Sequence, residues 1–159
     1  MDRFIDALVG EIAEMAVIDY LHRNGKYAVS AVDKRAPNPD PGHDIHVRNL
    51  NNEIVRCSVK SSISALKSSP EDILSTFSPA FNQEEPREFN IQVYFYYTLF
   101  SAPRYVVPSL SKGLITGWFS REALQGALYV PYPNAIQRRR AEVKLKDIQP
   151  MSELLEQLT

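Results

Sequence analysis

An α/β domain is predicted by three features of the sequence: a helical pattern over residues 3 to about 23, two alternating strands between Asp44 and Lys60, and a nearly unbroken apolar and aromatic run from Ile91 to Phe100. In the first, Phe4, Leu8, Ile12 and Met15 recur on one side, which predicts that Leu8, Ile12 and Met15 face a sheet. Asn24-Gly25 is a helix stop. The run from Ile91 has strand length and no polar side, as expected of a central strand covered on both faces.

The two alternating strands carry the chemistry. Ile45 and Val47 alternate with Asp44, His46 and Arg48, while Val55, Cys57 and Val59 alternate with Arg56, Ser58 and Lys60. One face is therefore apolar and the other is charged. A two-residue loop would put Asp44 on the same side as Val59, so the spacing predicts an odd-length, three-residue connection around Leu50, Asn51, Asn52 and Glu53. That register sets Asp44 opposite either Ser58 or Lys60, with Cβ atoms about 5 Å apart.

The remaining elements are shorter. Tyr27 to Asp33 alternates toward a strand, and the three prolines of Ala36 to Gly42 mark a loop. From Ser61 to about Glu88 the periodicity weakens into a flap, in which Ser69-Pro70-Glu71-Asp72 opens a short helix with Ser69 as cap. Tyr105 to Pro108 and Leu114 to Phe119 read as strands, and Ser120 caps a short helix. Tyr129 to Tyr132 and Ala141 to Leu145 read as edge elements, and Pro150 to Leu158 as an amphipathic helix. The strand from Glu53 to Ser61 and that from Ile91 to Phe100 are expected to be neighbours in the sheet.

With 159 residues and ordinary composition the chain reads as one soluble domain, and its net charge of −1 gives no global pull toward nucleic acid. Any such binding must come from local patches. The single cysteine excludes a disulfide framework, and Cys57 falls on the apolar side of its strand as a small buried hydrophobe. No apolar run reaches membrane-spanning length and the first residues lack a leader pattern, so a cytoplasmic protein without a membrane partner is expected.

The order of these parts resembles the PD-(D/E)xK, or restriction-endonuclease-like, nuclease superfamily. Gly10-Glu11-Ile12-Ala13-Glu14 matches its Gly-x-x-x-Glu helix motif, Gly42-His43-Asp44 its acidic strand, and Ser58-Val59-Lys60 its (Glu/Asp/Gln)-x-Lys strand. The helix ending Tyr20-Leu21-His22-Arg23-Asn24-Gly25 is similar to that of small bacterial and archaeal members, including Holliday-junction-resolvase-like proteins. The likeness covers residues 8 to 62, and beyond residue 90 only strand order agrees.

The resemblance implies a central mixed β-sheet flanked by helices and metal-dependent hydrolysis of phosphodiesters in nucleic acid, DNA first. It implies Mg²⁺ or Mn²⁺ held by Asp44 and Glu14, with Lys60 orienting the attacking water. Ser58 stands where the family normally has a second acid, which removes one negative charge from the site. Glu11 and His46 are second-tier metal ligands that could compensate. Their alternative readings are a helix N-terminal acid for Glu11 and a solvated strand residue for His46. Asp44 and Lys60 also suit an exposed cross-strand ion pair, worth about 0–1 kcal/mol.

Other candidates stand further from the motif. Arg138, Arg139 and Arg140 suit either phosphate contacts or a solvated loop. Tyr94, Tyr96 and Tyr97 could stack on bases, but in so apolar a strand they read first as core. Cutting two strands would suit a homodimer. The rival readings are a nuclease fold decayed at Ser58 and kept for nucleic-acid binding, and a protein-interaction domain.

Overall fold

The computed structural model describes residues 2–31, 44–64, 69–76, 78, 80–82, 87–96, 112–127, 129–132 and 135–159. In chain order these form α1 (Asp2–Arg23), β1 (Ala28–Ser30), β2 (Ile45–Arg48), β3 (Ile54–Ser64), α2 (Pro70–Thr76), β4 (Ala80–Asn82) and β5 (Phe89–Tyr96). They continue with β6 (Lys112–Ser120), α3 (Arg121–Gln125), β7 (Tyr129–Tyr132), β8 (Ala135–Glu142), a 3-10 turn (Leu145–Asp147) and α4 (Met151–Glu156). A five-stranded mixed sheet in the order β1-β2-β3-β5-β6 organises the molecule, and β4-β8-β7 form a second, three-stranded sheet. The loop expected at 36–42 and the strand expected at 105–108 lie outside the described residues.

The hairpin forms as its turn chemistry demands. Asn49 N–H donates to Glu53 O and Asn52 N–H to Asn49 O, each at 3.0 Å, leaving Leu50, Asn51 and Asn52 as a three-residue loop. Asn52 takes φ +63°, the left-handed conformation that such loops need and that asparagine tolerates. The resulting register pairs Ile45 with Cys57 and Val47 with Val55, so both apolar sets point to one face. β3 then pairs with β5 in parallel, as expected for these two strands, with α2 in the connection between them.

α1 and α4 cover one face of the sheet. Val9, Ala13, Val17 and Leu21 pack with Ile45, Cys57, Val59, Ile91, Val93 and Trp118, joined by Met151 and Leu154. This corrects the expected orientation of α1: Met15 is 67% exposed and Leu8 38%, while Ile12 is half-buried. The helix has two apolar stripes, and the one with Ala13 at its centre brings the helix backbone closer to the sheet. Its end is fixed by Gly25 at φ +71°, with Gly25 N–H donating to His22 O and Lys26 N–H to Leu21 O.

The opposite face is only partly covered. Ile73 of α2 and Leu145 pack on Tyr94 and Tyr96, so both tyrosines are core residues. β5 is consequently buried along its whole length. Ser69 Oγ caps α2 through Asp72 N–H at 3.2 Å, and Ser120 Oγ caps α3 through Ala123 N–H at 3.2 Å. A bulge at Thr116, whose hydroxyl donates to Gln92 O at 2.9 Å, bends β6 and brings Trp118 into a backbone bridge with Gln149. The segment 135–142 is the central strand of the second sheet, which corrects the edge element and the solvated loop expected there.

Candidate active site at the open end of the hairpin

Asp44 is held one residue before β2 begins. Its N–H donates to Cys57 O at 3.1 Å, one residue out of the Ile45–Cys57 register, and its C=O accepts from Ala31 N–H at 3.0 Å. Its carboxylate Oδ2 accepts the Val59 N–H at 2.6 Å and the Ser58 hydroxyl at 3.1 Å. A backbone N–H of a strand points along the sheet plane toward the neighbouring strand. The Asp44 carboxylate therefore lies near that plane, taking the bond that an earlier start of β2 would have supplied. Strict alternation had placed it on the polar face with Ser58 and Lys60. The shifted N–H shows that β2 departs from regular strand geometry here. Of the two predicted partners opposite Asp44, Ser58 is the one in contact.

Ser58 is buried at 4% exposure and Lys60 is half-buried. Cys57 and Val59 belong to the core under α1, so Ser58 and Lys60 share the other face. In the parallel register Lys60 sits beside Gln92 and Ser58 beside Asn90. Gln92 is 1% exposed, and its Nε2 donates to Val93 O at 2.9 Å and to Ser62 Oγ at 3.4 Å. Asn90 bridges Arg87 O and Phe119 O at 2.7 and 3.3 Å. A row of buried polar side chains thus runs beside Lys60. Sequence reading passed over Gln92 and Asn90, although polar residues at the head of so apolar a strand were the signal.

Glu14 is buried at 7% exposure on α1 and interacts with a neighbouring group. It stands on the helix that covers one face of the sheet, whereas Lys60 lies on the other. Glu11, half-buried one turn earlier, also has a partner. His46 lies two residues beyond Asp44, opposite Arg56 rather than Ser58, and is likewise engaged. Arg138, Arg139 and Arg140 lie in β8, whose backbone pairs with β7 and β4, and their side chains are outside the described residues.

Burial pushes the Cys57 thiol far above its ordinary range, and the negative charge of Asp44 adds to the effect. The thiol is a neutral core group, not a nucleophile.

Asp44 Oδ2 is occupied by its two donors, and Oδ1 accepts no hydrogen bond among the described residues. A Mg²⁺-like cation that keeps several waters and a substrate phosphate needs only one or two carboxylates. Asp44 Oδ1 is one carboxylate oxygen of the kind such a hydrated ion takes. It does not form a full cage: among the described residues no three His, Cys, Asp or Glu side chains group to hold a metal, so Asp44, Glu14, Glu11 and His46 do not act together as one. Comparison of the chain with protein-family models, curated proteins and solved structures gives no match.

No helix among the described residues is long and apolar enough to cross a membrane.

Proposed function

We propose that the protein is a restriction-endonuclease-like enzyme that hydrolyses phosphodiester bonds in nucleic acid, DNA first, with Mg²⁺ or Mn²⁺ as cofactor. The observation carrying this reading is the fixed position of Asp44, one residue before β2, bonded to Val59 and Ser58 on the strand that also bears Lys60. Asp44 Oδ1, with Glu14 from α1, would hold the cation. A bound divalent ion supplies charge neutralisation at the phosphate and a more acidic water. The Val59 N–H and Ser58 hydroxyl keep the Asp44 carboxylate from rotating, and the Lys60 amine orients the attacking water or a phosphate oxygen on the open side.

A second reading has its own observation. The Ser58 hydroxyl directs its proton to Asp44 from a buried position where the family has an acid. That arrangement suits a site kept for structure, in a domain that binds nucleic acid without cutting it. The test is cleavage of plasmid and branched DNA over a Mg²⁺ and Mn²⁺ series. Cleavage by the native chain that both Asp44→Asn and Lys60→Ala abolish supports the enzyme. Metal-independent binding with no cleavage under any divalent cation leaves the binding module.

A further inference from the structure

The half of the sheet that α2 and the 3-10 turn leave open carries charge of one sign. On the face of Ser58 and Lys60, cross-strand neighbours place His46 beside Val29 and opposite Arg56, and Arg48 opposite Ile54. Tyr27, one residue before β1, adjoins Arg48, whose guanidinium lies 4.6 Å above its ring. Arg56 is exposed, as are Val29 at 38%, Tyr27 at 37% and Ile54 at 49%, while Arg48 and Lys60 are half-buried. No carboxylate among the described residues pairs with Arg48, Arg56 or Lys60. A chain whose net charge is −1 thus presents three unneutralised cations on one sheet face, leading to the in-plane carboxylate of Asp44.

We infer that the open face of β1, β2 and β3 is the track along which a nucleic-acid strand reaches Asp44, with Arg48, Arg56 and Lys60 on its phosphates and Tyr27 against a base. The inference rests on the nucleic-acid reading above but not on hydrolysis. Arg56 and Lys60 are four residues apart on one strand and so stand about 13 Å apart. Backbone contacts of this kind position a strand without reading its sequence. The Arg48 guanidinium lies over one face of the Tyr27 ring, so this surface pairs a cation with an aromatic ring, two groups on which unstacked bases pack.

The test is fluorescence anisotropy of the full chain with a labelled single-stranded DNA, in EDTA, between about 50 and 200 mM salt. The native chain is expected to bind with strong salt dependence. Arg48→Gln with Arg56→Gln should weaken binding about tenfold or more and lower the salt slope by about 0.7 for each lost contact. Arg56→Glu, at an exposed position, repeats the test without touching the Tyr27 stack. Arg23→Gln with Lys144→Gln, at exposed sites on other elements, should leave the slope unchanged. Absence of binding by the native chain, an unchanged slope in the Arg48 and Arg56 variants, or an equal loss in the control pair overturns the track. Binding that follows the expected pattern with no cleavage keeps the track and removes the enzyme. Cleavage with undiminished binding in Arg56→Glu does the reverse.

Discussion

The carboxylate of Asp44 accepts the backbone N–H of Val59 at 2.6 Å, completing with a side chain a ladder that β2 no longer supplies. An acid in that position is both a strand terminator and a charge anchored in the sheet plane. Removing it leaves a part-buried N–H without a partner, at a cost of about 1–3 kcal/mol. Asp44→Ala is therefore expected to lower stability by that amount in urea unfolding. Asp44→Asn keeps an acceptor oxygen, so it should cost less while abolishing saturable Mn²⁺ binding. Equal metal affinity in the native and Asn forms would remove Asp44 as the ligand.

Cys57 gives a pH-dependent test of burial. Its thiol keeps its proton in the folded chain well above about pH 9, where the unfolded chain releases it. The folded state then binds more protons, so this contribution is fully present below about pH 9 and is lost as pH rises further. Chemical denaturation across pH 8 to 10.5 should show stability falling above about pH 9, and Cys57→Ala should flatten that fall. A thiol reagent at pH 8 should label Cys57 only as fast as the protein opens.

The orientation of α1 can be checked by paired truncations. Leu21 is 0% exposed and Met15 is 67% exposed. Leu21→Ala is expected to cost about 2–5 kcal/mol, and Met15→Ala to stay within about 0.5 kcal/mol. Comparable losses at both positions would mean that the outer stripe is covered as well.

These contrasts show where the sequence was legible. Caps at Ser69 and Ser120, the Asn24-Gly25 stop and the three-residue hairpin loop depend on residues within four of each other, and each formed as read. The adjacency of β3 and β5 followed from their apolar character. The facing of α1 did not, because Leu8, Ile12 and Met15 compete with Val9, Ala13, Val17 and Leu21, and only packing against the sheet selects between two stripes. Arg138-Arg139-Arg140 suited either phosphate contacts or a solvated loop, yet partners on both sides place their backbone in an inner strand. At the site, the contact between Asp44 and Ser58 was legible as one of two pairings, the other being Lys60. That Asp44 lies near the sheet plane depends on how β2 begins, and that Gln92 flanks Lys60 depends on a parallel register no turn encodes.

Gly117 tests how the bulged strand is held. It takes φ +143°, and a Cβ there would meet the Gln149 carbonyl oxygen and the Ile148 side chain. Gly117→Ala combines backbone strain of about 1–3 kcal/mol with displacement of the Trp118–Gln149 bridge. A loss above about 2 kcal/mol is expected, with the near-ultraviolet signal of Trp118 altered.

Ser58 is the position where fold and chemistry can be separated. Its hydroxyl now donates to Asp44, so Ser58→Glu replaces a donor with a second acid beside an existing one. Two carboxylates in contact cannot both ionise without a counter-charge, which raises the pKa of the pair and destabilises the metal-free chain near neutral pH. A divalent cation between them reverses the effect, because a ligand that binds only the folded state stabilises it in proportion to the logarithm of its concentration over Kd. The Ser58→Glu chain is therefore expected to melt below the native one in EDTA and to gain more from Mg²⁺ or Mn²⁺ than the native chain does. If the site is a weakened nuclease, the same variant should raise metal-dependent cleavage, and Lys60→Ala in that background should abolish the gain. Metal-dependent stabilisation without hydrolysis under any divalent cation would establish that the site holds a metal and no longer cuts. Destabilisation that no cation relieves would show that Asp44 and position 58 do not converge on a metal, and the reading of this site as nuclease-derived would fall with it.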